Sequence, residues 1–197
     1  GLNCTVWYDP SIEDWEENFP RFEPDGFMYQ KTLETARQLC RRVQGEYMVS
    51  MPDIAGNLDA LAHLRGSEDL LVDMMTDGED VLRASAAMQD IWERCITDVY
   101  AILRQNNGGA TSIGWLQVWA PGLMSQLQCD LSVMISPEAF NTFAMPELRC
   151  QTEFLEYPLY HFDGQEQRRH LDALLSLEKL RAIQWTPVDG QPSPVEY

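Results

Sequence analysis

Helical and extended patterns alternate along most of this chain, and that alternation restricts its fold more than any other feature. Leu33, Ala36, Cys40 and Val43 recur at helical spacing, and Gly45 stands where such a helix would stop. The apolar run at 46–54 closes on Pro52 and predicts a buried strand. Two short helices are predicted over 55–66 and 67–77, the second capped by Ser67 and broken at Asp77-Gly78. Val81, Ala84, Met88, Ile91, Trp92, Cys95, Val99, Ile102 and Leu103 then form one apolar stripe, the signature of a long amphipathic helix ending at Asn106-Asn107-Gly108-Gly109. A strand is predicted over 111–120, followed by a loop and the apolar run 129–135. Ser136 is placed as an N-cap, Pro137 suits the first helical position, and Pro146 should kink or restart that helix. A strand at 158–164, a helix at 166–180 and a strand at 181–187 complete the pattern. Strand–helix units in series argue for a parallel sheet covered by helices.

The segment 1–30 is different. It is rich in Asp, Glu, Pro and aromatic residues and is interrupted by Pro10, Pro20 and Pro24. A short strand is expected at 4–8, then an ordered surface loop with one helical turn. The division is therefore a 1–30 extension and a 31–197 α/β domain.

Charge excludes some functions. With 14 Lys and Arg against 31 Asp and Glu, the net charge is −17, which repels phosphate backbones and argues against nucleic-acid binding. No apolar run reaches the ~20 residues a membrane helix needs. The five cysteines, Cys4, Cys40, Cys95, Cys129 and Cys150, are widely spaced and include no C-x-x-C pair. Cys40 and Cys95 read as core thiols, and a reducing cytoplasm is the expected compartment. The chain has no phosphate loop, no G-x-G-x-x-G fingerprint, no H-E-x-x-H and no G-x-S-x-G elbow. Its three histidines, His63, His161 and His170, exclude a histidine-rich metal centre within one chain.

The segment 128–185 carries a resemblance. Ser136-Pro137, Phe140, Phe143 and Pro146 fit a Ser-Pro-x-x-Phe-x-x-Phe-x-x-Pro helix start, and 160–185 continues it. This pattern resembles the uroporphyrinogen-decarboxylase-like superfamily, closest to its trimethylamine-corrinoid, cobalamin-dependent methyltransferase-like branch. The resemblance implies a TIM-type (β/α)8 barrel with its chemistry at the carboxyl ends of the strands. Residues 47–54, 113–119, 159–163 and 182–185 would then be strands 3 to 6, the middle half of the barrel. Strands 1 and 2 would precede Gly1 and strands 7 and 8 would follow Tyr197, or halves would pair as a homodimer.

His161 and Asp163 share one face of the 158–164 strand, near its end. Related methyltransferases place a His-x-Cys zinc pair there, so the resemblance implies a zinc site at His161 and Asp163, with carboxylate in place of thiolate. A different active-site role and a structural His–Asp pair remain open. Asp53 either accepts a hydrogen bond from substrate or caps the next turn. Trp115, Gln117 and Trp119 would share a face of one strand, with Gln184 and Trp185 ending another. All five either line a substrate pocket or pack in the core. Arg168 and Arg169 read as helix-surface residues, and His63 and His170 as structural or exposed.

The expected function is methyl transfer between a corrinoid protein and a small molecule, with the corrinoid carried by that partner. One alternative is a uroporphyrinogen-type decarboxylase, which needs no cofactor. Another is a non-catalytic incomplete barrel that assembles as a dimer.

Overall fold

The computed structural model describes residues 9–186, 190 and 195. The strand expected at 4–8 and Cys4 lie outside the described residues. The chain is mixed α/β. Helix α1 spans Phe27–Val43, α2 Asn57–Arg65, α3 Ser67–Thr76 and α4 Gly78–Asn106. Two short strands follow, β1 at Thr111–Ile113 and β2 at Val118–Ala120, and then β3 at Gln126–Leu127. A 3-10 turn at Asp130–Met134 leads to α5 (Pro137–Ala139), a π-helical turn (Phe140–Ala144) and α6 (Met145–Phe154). Strand β4 is Leu159–Asp163, a second 3-10 turn spans Gln165–His170, α7 is Leu171–Leu175, and β5 is Ala182–Thr186.

The long stripe folds as its spacing predicts. Val81, Ala84, Trp92, Ile96, Val99 and Leu103 of α4 are buried. The buried Val, Ile and Leu side chains among these each contribute roughly 1.5–3 kcal/mol. Helix α4 is the spine of the core: Trp92 meets Phe154 of α6 edge-on, with ring centroids 5.9 Å apart. Asp77 separates α3 from α4, and Ser136 caps α5 by accepting the N–H of Ala139 at 3.2 Å. Pro146 restarts the helix as expected. Its ring cannot supply an N–H to the turn before it, and that turn widens to π geometry before α6 continues.

Three strands form a parallel sheet in the order β3-β4-β5. Leu159 pairs with Gln126 on one side and Ala182 on the other, and His161 with Gln184. Side-chain alternation makes the sheet two-faced. Leu127, Cys129, Tyr160 and Phe162 belong to the main apolar core with α4 and α6. The opposite face carries Gln126, Gln128, His161, Asp163, Gln184 and Thr186. Among the described residues the sheet is open, with no strand beyond β5, so these residues are α/β but do not close a barrel.

Several local expectations are corrected. Residues 47–54 form no strand. The Asn107 side chain binds both the N–H and the carbonyl of Val49, at 3.0 and 2.9 Å, and so takes the place of a ladder partner. Residues 111–120 are not one parallel strand but an antiparallel hairpin, β1-β2. Gln117 turns it with φ 57°, a left-handed conformation no continuous strand holds. The strand paired to β4 is instead β3, within the segment expected to be loop. Residues 129–135, apolar as they are, form a 3-10 turn. The helix expected over 166–180 is reduced to a 3-10 turn and α7. Ser67 begins α3 rather than capping it; Gly66 occupies the cap position. Helix α1 begins at Phe27, inside the segment read as surface extension.

The rest of the described extension is ordered as expected. Ile12 and Trp15 are buried. Trp15 Nε1 donates to Asp73 Oδ2 at 2.8 Å, and Arg65 donates to the carbonyls of Ile12 and Glu13. No helix among the described residues is long and apolar enough to cross a membrane.

Candidate metal centre

Strand register brings His161 and Asp163 to the carboxyl end of β4 on its polar face, as the sequence predicts. The third member of the cluster is Asp130, just beyond β3. One donor atom each from Asp130, His161 and Asp163 lie within 4.8 Å of one another. His161 is buried, whereas Asp130 is exposed as a residue and Asp163 partly so. A buried imidazole flanked by two more accessible carboxylates leaves the site open on one side.

Asp130 is held from behind. The buried carboxylate of Asp59 on α2 accepts the N–H of Asp130 at 2.9 Å and that of Leu131 at 3.0 Å. These bonds cap the 3-10 turn that delivers Asp130. Burial raises the Asp59 carboxyl above its ordinary range, and the two backbone N–H groups pull it back. The carboxyl of Asp130 is lifted to about 6. Desolvation among the atoms of the site rim comes first, followed by repulsion from Asp59; the nearby His161 opposes the rise, and Asp163 and Asp53 add to it. A group of carboxylates this crowded favours a proton or a cation between them.

His161 is tightly oriented. Its Nδ1 lies 2.5 Å from Gln184 Oε1, and Gln184 Nε2 donates to Thr186 Oγ1 at 2.9 Å. The indole of Trp115 stands edge-to-face against the imidazole, with centroids 4.8 Å apart. Asp53 is exposed, and its Oδ1 accepts from Gln126 Nε2 at 2.6 Å. It does not cap α2, whose N-cap is Gly56. The Oε1 atoms of Gln126 and Gln128 are buried with no partner among the described residues. The polar sheet face therefore asks for donors that these residues do not supply.

The other sequence candidates separate. Gln117 and Trp119 do not share a sheet face with Trp115. Gln117 is exposed in the hairpin turn, while Trp119 pairs with Ser112 and is 59% exposed. Trp185 points away from Gln184 and packs against Phe162 at 4.5 Å, on the core side. Arg168 and Arg169 are exposed as expected, Arg169 donating to the carbonyl of Val133. His170 is structural: it is buried, stacks on Phe140 at 4.2 Å, and its Nε2 meets the carbonyl of Ser132 at 3.0 Å.

Asp130 is the member of this cluster that the sequence pattern did not indicate. The signal was an acidic residue directly after a short polar-apolar run, obscured because the neighbouring strand was expected at 111–120.

No family model, curated protein or solved structure matches this chain.

Proposed function

We propose that the chain is a metal-dependent transferase of the uroporphyrinogen-decarboxylase-like kind, acting on a small molecule. The observation that carries this reading is the convergence of Asp130, His161 and Asp163 at the carboxyl ends of adjacent parallel strands. In open and closed parallel sheets alike, ligands bind at that end.

The donor set fits a first-row dication such as zinc. One imidazole and two carboxylates match its nitrogen and oxygen preferences, and their charges balance it. The set lacks the thiolate of the related methyltransferases, so it is harder and suits manganese or cobalt as well. Asp130, His161 and Asp163 would hold the ion and leave a position for substrate. A bound dication would supply Lewis acidity and lower the pKa of a coordinated thiol or water. The chain's own residues do the rest. Gln184 orients His161, Trp115 shields one side of the ring, and Asp53, fixed by Gln126, offers an accessible acceptor for a substrate proton.

The methyl-transfer assignment, with a corrinoid protein as partner, rests on the sequence resemblance. The free thiols Cys40, Cys95, Cys129 and Cys150 support a reducing, cytoplasmic setting. The barrel reading requires further strands along the free edge of β5, and a second copy of the chain is one source of them. Zinc titration by calorimetry tests the centre. One site per chain is expected, lost in His161→Ala and weakened at least tenfold in Asp163→Asn. Incubation with methylcobalamin and small thiols, followed by cobalt absorbance, tests the transfer. Zinc binding unchanged in both variants would remove the proposal.

A further inference from the structure

We infer that Gln184 is a positioning residue that sets the tautomer of His161, through a relay ending at Thr186. The inference rests on the metal reading above and extends it to the shell behind the ligands.

Strand register places the parts. His161 pairs with Gln184 across β4 and β5, and Asp163 pairs with Thr186 one step further on. The two side chains at the first of these levels meet at 2.5 Å, Nδ1 to Oε1. The Gln184 amide nitrogen donates to Thr186 Oγ1 at 2.9 Å, and the amide oxygen faces the ring. An amide oxygen can only accept. Nδ1 must therefore carry the proton, and the lone pair stands on Nε2. The opposite tautomer would set two lone pairs against each other at that distance. Trp115, packed edge-on, limits rotation of the ring to a second orientation.

The chemical identity of the partner also matters. Ligand histidines commonly donate to a carboxylate, which strengthens the imidazole as a donor. Here the partner is a neutral amide. Two carboxylates already stand beside His161 in the triad. A third behind the ring would drain the electrophilicity of a bound dication. Gln184 supplies the orientation of a carboxylate without its charge.

The decisive measurement is the long-range nitrogen–proton NMR spectrum of 15N-histidine-labelled, metal-free protein at pH 8. His161 is expected as the Nδ1–H tautomer in the wild type, shifting toward Nε2–H in Gln184→Ala. An Nε2–H signal in the wild type would overturn the inference even if the variant fails to fold. Cobalt(II) titration provides the second readout. Gln184→Ala should bind cobalt 10- to 100-fold more weakly. Gln184→Glu should bind at least as tightly as wild type, with the pH midpoint of its visible absorption moved upward. Cobalt affinity within twofold of wild type in Gln184→Ala, and an unmoved midpoint in Gln184→Glu, would overturn the role of Gln184 alone. A wild type that binds no cobalt would instead remove the metal reading, and with it the significance of the relay.

Discussion

The carboxylate of Asp59 receives the backbone N–H groups of both Asp130 and Leu131, and so fixes the approach of Asp130 to the site from α2, some distance away in sequence. Removing it should leave one buried and one part-buried N–H unpaired. Asp59→Ala is expected to cost on the order of 2–4 kcal/mol in urea unfolding. Asp59→Asn should cost less and, by deleting a negative charge beside Asp130, should lower the pH at which Asp130 titrates. An unchanged urea midpoint in Asp59→Ala would show that the cap does not support the turn.

Metal affinity should fall steeply as pH drops through about 6, where Asp130 takes up its proton. The metal-free protein should behave in the opposite sense. The folded pKa of Asp130 is raised from 3.8 to about 6, so folding takes up a proton between those values. The contribution of Asp130 to stability is full below that window and is lost as pH rises through it. Calorimetric zinc titrations and thermal melts across pH 4–8 measure both effects. Asp130→Asn should abolish both.

His170 gives a separate pH signature. Burial lowers its pKa below the ordinary 6.5, opposed by the Ser132 carbonyl and assisted by Arg169. As pH falls below 6.5 the unfolded chain takes up the proton first, so stability present above that pH is progressively lost. His170→Gln, which retains an N–H donor toward Ser132, should flatten the stability profile between pH 5 and 7. A slope identical to wild type would assign the acid sensitivity to other groups.

Arg65 and Asp73 form a largely buried ion pair at 2.8 Å that also engages Trp15 and the Ile12 and Glu13 carbonyls. Asp73→Ala strands the guanidinium and the indole N–H together. A loss of roughly 3–5 kcal/mol is expected. Limited proteolysis should then cut first within residues 9–26. Resistance equal to wild type would mean that other contacts, such as Ile12 in the core, hold this segment.

Much of the fold was legible in the sequence wherever local pattern and tertiary packing agree. The α4 stripe, the Ser136 cap, the Pro146 interruption and strands β4 and β5 fall where periodicity and turn chemistry place them. His161 and Asp163 were legible for the same reason, since alternation alone puts them on one face. The hairpin and β3 were not. Residues 111–120 have strand-like composition throughout, and nothing local announces that Gln117 adopts positive φ. Strand β3 is only Gln126–Leu127, too short to create a period, and it exists because β4 offers it a ladder. Misplacing that strand hid Asp130, whose role comes from the end of β3 rather than from its neighbours in sequence.

The two faces of β4 also carry an evolutionary consequence. Tyr160 and Phe162 build the core while His161 and Asp163 build the site, each pair on positions of one parity. A one-residue deletion within the strand would exchange the two sets, turning aromatic rings to the open side and driving an imidazole and a carboxylate against Trp185. Substitutions can therefore vary the polar cluster position by position, but a change of length in β4 would disperse that cluster and disrupt the core in a single step.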